Sequence, residues 1–163
     1  MSTEKNLKEA IAGESQANRK YAAFAKKAEE EGYNAVAKMF RAASEAEAIH
    51  ALSEMKALGI VKTTAENLKG AIEGETFEFT TMYPEFIKEA EAEGNSQAKR
   101  AFNFANEAEK VHAKLYQDLL DKMESKPEVE YFLCTVCGNV EVNTAPDKCP
   151  ICGAPPKAFI NVG

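Results

Sequence analysis

The chain contains only two histidines, and each stands three residues after a glutamate: Glu47-Ala48-Ile49-His50 and Glu109-Lys110-Val111-His112. Residues three apart on a helix share a face, so each pair can hold a metal ion between a carboxylate and an imidazole. One E-x-x-H carries little information, because glutamate is common in helices. Two copies in register within a duplication carry much more. Ala10-Ile11-Ala12-Gly13-Glu14 matches Ala71-Ile72-Glu73-Gly74-Glu75 at an offset of 61. The offset is 62 for Phe40/Phe102, Glu47/Glu109, His50/His112 and Ala51/Ala113. One helical hairpin therefore occurs twice, with one extra residue in the second copy.

Hairpin arithmetic adds further ligands. Glu14 lies 18 residues before Gly32 and Glu47 lies 15 after it, which sets them near one level in two antiparallel helices. Glu75 and Glu78 precede Gly94 by 19 and 16, and Glu109 follows it by 15. Five carboxylates and two imidazoles converging in an apolar bundle repel one another and resist desolvation unless cations neutralise them. Two divalent metals supply that charge, in the general pattern of di-metal carboxylate bundles. Oxygen and imidazole donors suit iron or manganese, and zinc stays open.

Most of the 26 acidic residues are ordinary surface charge. Glu29-Glu30-Glu31, Glu89, Glu91 and Glu93 are read so, and Glu45 and Glu107 point away from the proposed ligands. Gly13 and Gly74, each beside a ligand, suggest close packing there, since mid-helix glycine costs ~1 kcal/mol. Tyr21 follows Glu14 by seven residues and can point its hydroxyl into the site or serve as core. Tyr83 carries the same balance. Pro84 removes a helical hydrogen bond, so a kink or π-bulge there can absorb the extra residue of the second copy.

The second constellation is Cys134-Thr135-Val136-Cys137-Gly138 with Cys149-Pro150-Ile151-Cys152-Gly153, which together use all four cysteines. A C-x-x-C turn aims two sulfurs at one ion, and the following glycine permits positive φ. Two such turns make a tetrahedral four-thiolate site for iron or zinc. Zinc would make it a structural staple, iron a one-electron carrier. Disulfides do not fit this spacing in a reducing compartment. Ala154-Pro155-Pro156 and Phe159 are expected to cover the site on one side, with Tyr131 and Phe132 on the other.

Four helices can position the Glu and His ligands. The first runs from about Ser2 to Glu31, the second from an Asn34 cap to Gly59. The third starts at the Thr63-x-x-Glu66 capping box and ends at Gly94, and the fourth follows Asn95 and Ser96 to about Met123. Composition changes near residue 126, and Pro127 cannot continue a helix. The expected division is 1–126, a duplicated-hairpin bundle, and 127–163, a small cysteine module. The 163 residues allow one main domain and one small module. Twenty basic and 26 acidic residues give a net charge of −6, which argues against a nucleic-acid partner. No apolar run approaches the ~20 residues that span a membrane. The N-terminus has no secretory pattern, so a cytoplasmic protein is expected.

With both constellations placed, the sequence resembles the rubrerythrin family over essentially its whole length. The resemblance rests on Gly13-Glu14-Ser15-Gln16-Ala17, Glu47-x-x-His50, Gly74-Glu75-x-x-Glu78 with Met82-Tyr83-Pro84, Glu109-x-x-His112, and the two C-x-x-C-G knuckles. It implies a mainly α protein: a ferritin-like four-helix bundle followed by a rubredoxin-like β module. It also implies a non-haem di-iron peroxidase that reduces hydrogen peroxide to water in defence against oxidative stress. Glu47 and Glu109 then bridge the metals, Glu14 and Glu75 are terminal, and His50 and His112 complete the two coordination spheres. Glu78 and His50 exchange as ligands with redox state. Cys134, Cys137, Cys149 and Cys152 hold a third iron, or zinc, that relays electrons. The donor is a rubredoxin or a separate NAD(P)H-dependent reductase, because no nucleotide fingerprint occurs in the chain. A ferritin-type iron-storage protein gives no reason for the cysteine module. A non-enzymatic zinc-binding protein gives none for the duplicated Glu/His site.

The same fold implies an assembly. Hairpins with loops at opposite ends require the chain to cross the bundle between helices two and three, ~40 Å for helices of ~28 residues. Leu58 to Thr64 offers some six links, which reach ~20 Å. A homodimer is expected, with the first hairpin of one chain packed on the second hairpin of its partner. A plain up-down-up-down bundle, or unwound helix ends, are the alternatives.

Overall fold

The computed structural model describes residues 2–163. Helix α1 (Thr3–Glu30) begins at Ser2, whose hydroxyl accepts from the Lys5 N–H. Helix α2 (Asn34–Leu58) follows a two-residue reversal at Gly32, φ 83°, and ends at Gly59, φ 71°. Asn34 is the first helical residue and not the cap. Tyr33 holds that position and makes no side-chain capping bond. The α1–α2 hairpin is fastened in its buried seam by Asn18, whose Nδ2 donates to the Ser44 carbonyl at 2.7 Å. The Ser44 hydroxyl returns a bond to the Asn18 carbonyl at 2.9 Å. Alanines let the helices approach: Ala25, Ala28, Ala37 and Ala51 are buried.

Helix α3 (Thr64–Phe77) starts from the expected capping box, with Thr63 and Glu66 exchanging both bonds. A π-turn over Glu78–Met82 then leads into α4 (Tyr83–Ala92), so the third rod is one helix with a wide turn in its middle. The change of repeat offset from 61 to 62 falls across this segment, and the extra residue is taken up there as the sequence suggested. Helix α5 (Ser96–Lys122) starts at Asn95, whose Oδ1 accepts from the Ala98 N–H. A three-stranded antiparallel sheet follows: β1 (Tyr131–Cys134), β2 (Val140–Val142) and β3 (Phe159–Val162), in the order β2-β1-β3.

The chain forms two compact units, one reaching to Lys62 and one from Thr63 to Gly163. The first is the α1–α2 hairpin. The second holds α3, α4, α5 and the sheet, with Phe104 of α5 packed against the cysteine cluster. Large apolar side chains lie exposed along the hairpins: Phe24, Met39, Ile49 and Leu52 in the first, Phe77 and Phe86 in the second. No helix of the described residues is long and apolar enough to cross a membrane. The fold is mainly α, of ferritin-like type with a small C-terminal β module.

Candidate metal centres

Each hairpin carries a trio of two glutamates and a histidine, built the same way. In the first, His50 Nδ1 stands 3.0 Å from Glu47 Oε2 and 3.7 Å from Glu14 Oε2. In the second, His112 Nδ1 stands 2.7 Å from Glu109 Oε2 and 4.0 Å from Glu75 Oε1. Within each trio the ligand atoms lie inside 4.8 Å of one another. The duplication therefore extends to the ring nitrogen presented, Nδ1 in both copies. Glu78 stays outside the close trio, at the start of the π-turn.

These carboxylates are crowded. Glu14 is raised by a hydrogen bond shared with Glu47, which is itself lowered by that bond. Burial, and then the Glu109 carboxylate, push Glu75 up to about 7. Burial and the charge of Glu109 raise Glu78 as well. A carboxylate pair of which one member retains a proton near neutrality is a site short of positive charge. The donor set of each trio thus fits a cation.

The cysteines meet as expected. Cys134 and Cys152 sulfurs are 3.7 Å apart and Cys137 and Cys149 sulfurs 3.6 Å, all four within reach of one ion. The two knuckles repeat each other: the glycine N–H donates to the first cysteine's carbonyl at 2.9 Å in both, with φ of 82° at Gly138 and 76° at Gly153. Burial pushes the Cys137 and Cys152 thiols up. At Cys149 burial acts in the same direction, but the N–H groups of Cys152 and Ile151 prevail and draw it down to about 7. Ala154, Ile151 and Phe159 cover the cluster, and Phe104 closes it from α5.

Three features escaped sequence reasoning. His112 Nε2 donates to the Gly138 carbonyl at 2.9 Å, so the ring that offers Nδ1 to one centre is bonded to the knuckle of the other. Tyr116 follows Glu109 by seven residues, and burial followed by Glu75 and Glu109 raises its hydroxyl pKa. Its counterpart at the 62-residue offset is Glu54, whose Oε2 is buried with no hydrogen-bond partner among the described residues. The seven-residue spacing was the available signal in both cases. Tyr21 lies in a ring cluster with Phe24 and Phe40, and Tyr83 repeats it with Phe86 and Phe102. Burial and then Glu78 raise Tyr83. At Gly13 and Gly74 the expected close packing is not seen: nothing lies within 4 Å of a Cβ built at either.

Comparison with known proteins agrees with this geometry. The family model described as rubrerythrin matches residues 5–120, and that of the rubrerythrin rubredoxin-like domain matches 132–160. Nigerythrin of Nitratidesulfovibrio vulgaris is 39% identical, covering 97% of this chain and 85% of its own. Rubrerythrin of Porphyromonas gingivalis is 36% identical over 96% of this chain and 88% of its own. A solved structure of nigerythrin in its fully reduced, all-ferrous state superimposes with a TM-score of 0.61, at 36% identity and covering 99% of this chain and 87% of that one. The carboxylate/imidazole groups are those of a di-iron site, and the cysteines those of a rubredoxin-like iron centre. With both domains matched in order along nearly its full length, the chain belongs to the rubrerythrin family.

Proposed function

We propose that the protein is a peroxidase that reduces hydrogen peroxide to two water molecules, H2O2 + 2 e⁻ + 2 H⁺ → 2 H2O. The electrons come from an NAD(P)H-linked reductase or a rubredoxin. The observation that carries this reading is the His112–Gly138 bond, which joins a metal-binding trio to a four-cysteine knuckle within one unit. A storage protein has no use for such a link. We assign Glu14, Glu47, His50, Glu75, Glu78, Glu109 and His112 as ligands of a di-iron pair and the four cysteines as ligands of a third iron. The division of labour follows the 1–126 and 127–163 boundary.

An iron pair bound by these residues would supply both electrons of the reduction. The chain's own residues do the rest. Glu47 and Glu109 each present a carboxylate from the middle of a hairpin and would serve as ligands to the pair. The His112 ring is fixed by Nε2–H, which donates to the Gly138 carbonyl, and this leaves Nδ1, 2.7 Å from Glu109 Oε2, as the nitrogen that would ligate a metal. Tyr83 and Tyr116 keep their hydroxyl protons, because burial and the surrounding carboxylates oppose ionisation. Each is an O–H donor beside the site. Glu78 sits on the π-turn, where the backbone departs from regular helix, and this suits a side chain that changes position.

The reading takes the two Glu/Glu/His trios together as the ligands of one metal pair. The short link between Leu58 and Thr64 and the apolar residues exposed on both hairpins support a homodimer in which each hairpin pairs with the other chain's. Anaerobic reconstitution with ferrous iron, followed by a peroxide assay with NAD(P)H, a reductase and rubredoxin, tests the reading. Sustained peroxide consumption with matching NAD(P)H oxidation is expected. Iron-loaded protein that takes no electrons, or that leaves peroxide untouched, would overturn it.

A further inference from the structure

The two cysteine knuckles are built alike except at one buried side chain. In the first, the Cys134 N–H donates to the Asn139 carbonyl at 2.8 Å; in the second, the Cys149 N–H donates to the Ala154 carbonyl at 2.8 Å. Burial raises the Cys137 and Cys152 thiols, and the N–H groups of Asn139 and Ala154 oppose it in the same way. Asn139 and Ala154 are therefore equivalent residues, each two after the second cysteine of its knuckle. A methyl side chain is enough for the turn.

Asn139 adds an amide where Ala154 has none. It is 0% exposed; its Nδ2 donates to Glu141 Oε1 at 2.7 Å, while its Oδ1 is buried with no hydrogen-bond partner among the described residues. Burying an amide with one half unpaired opposes folding, so the needs of the turn do not account for it. What the amide secures is the Glu141 carboxylate, held half-buried beside the first knuckle. The nearest-lying cation of the module serves the other knuckle: Lys148 runs over Gly153, its Cε 3.2 Å and its Nζ 4.0 Å from where a Cβ would sit.

We propose that Asn139 is a positioning residue of the cysteine centre: it fixes the Glu141 carboxylate beside the first knuckle, and that fixed charge lowers the reduction potential of an iron held by the four cysteines. The inference rests on the relay role given to that iron above. Reduction adds one electron from the reductase or rubredoxin, with no bond made or broken. A ferric ion with four thiolates carries one net negative charge and the ferrous form carries two, so a neighbouring carboxylate opposes the step. The reduced centre is then the stronger electron donor. Asn139 touches neither substrate nor metal and acts only through Glu141 and the backbone of the turn.

Redox titration of the full-length, iron-loaded protein, followed at the visible absorption of the cysteine centre, tests this. Glu141→Gln keeps an acceptor for Asn139 Nδ2 and removes only the charge. It should shift the one-electron equilibrium at least about threefold toward the reduced form, a potential ~30 mV higher. Asn139→Ala copies the residue of the second knuckle and releases the carboxylate, so it should raise the potential as well. Adding Glu141→Gln to Asn139→Ala should then move the potential by less than about half of what it does in the parent. An unchanged or lowered potential in Glu141→Gln, or an equal shift with and without Asn139, would overturn the proposal. No peroxide enters the titration, so failure here and failure of the peroxidase reading are separable.

Discussion

Glu75 offers the sharpest test of why this site needs metal. Its side chain is 21% exposed, and that of neighbouring Glu109 is 16% exposed. Burial first, and the Glu109 carboxylate second, move its pKa from 4.5 to about 7. At ~1.4 kcal/mol per tenfold change in acidity this bounds the cost of ionising it in the folded chain at about 3 kcal/mol. Solvent screening of a partly exposed group reduces the figure to about 1–2 kcal/mol. The sign follows from linkage. A group whose pKa is raised on folding contributes stability that is complete below pH 4.5 and lost as pH rises through about 7. Glu75→Gln fixes a neutral side chain in place of the carboxylate. In metal-free protein the variant should be more stable than the parent by about 1–2 kcal/mol at pH 8 and nearly equal to it at pH 5. Urea denaturation of both proteins after chelation, at the two pH values, measures this. With iron present the order reverses, because the ligand is gone. A pH-independent difference, or loss of stability in metal-free Glu75→Gln at pH 8, would refute the account of the carboxylate pair.

Other outcomes follow from the same geometry. Glu47→Ala or Glu109→Ala should lose di-iron binding and peroxidase activity while the cysteine centre stays loaded, as judged by iron content and visible absorption. Cys137→Ser should abolish turnover on reductase electrons, yet a chemically reduced sample should still react once with peroxide in a rapid-mixing experiment. Refolding Glu14→Ala chains together with Glu75→Ala chains should restore activity, since a swapped heterodimer has one intact site and one lacking both ligands. Demonstrated subunit exchange without recovery would contradict the swap.

Much of the site was legible because its residues are few and repeated. The only two histidines fall in register with Glu47 and Glu109, and both present the same nitrogen to the same neighbours. The capping box at Thr63, the glycine stops at Gly32, Gly59 and Gly94, and the C-x-x-C-G turns are local chemistry, and they formed as written. The extra residue of the second copy could be placed near Pro84, because the repeat constrained it from both sides. What was not legible depends on tertiary approach. The Gly138 carbonyl that receives His112 Nε2 comes from 26 residues away, and nothing in a C-x-x-C-G motif specifies a histidine acceptor. Phe104 looks like one more helix apolar residue until the cysteine cluster packs on it. Asn34 resembles a cap, but the tight turn at Gly32 leaves that position to Tyr33. Gly13 and Gly74 drew attention as packing sites, although their own hairpins leave the space beside them open.

The central claim is that two hairpins hold an iron pair that delivers two electrons to peroxide. Rapid mixing of the ferrous-loaded protein with hydrogen peroxide under argon tests it most directly, with ferrous oxidation and dissolved oxygen followed together. Two ferrous ions should be oxidised per peroxide consumed, no oxygen should be released, and the reaction should vanish in Glu109→Ala. Peroxide loss with oxygen evolution, or a reaction unchanged in Glu109→Ala, would contradict the claim.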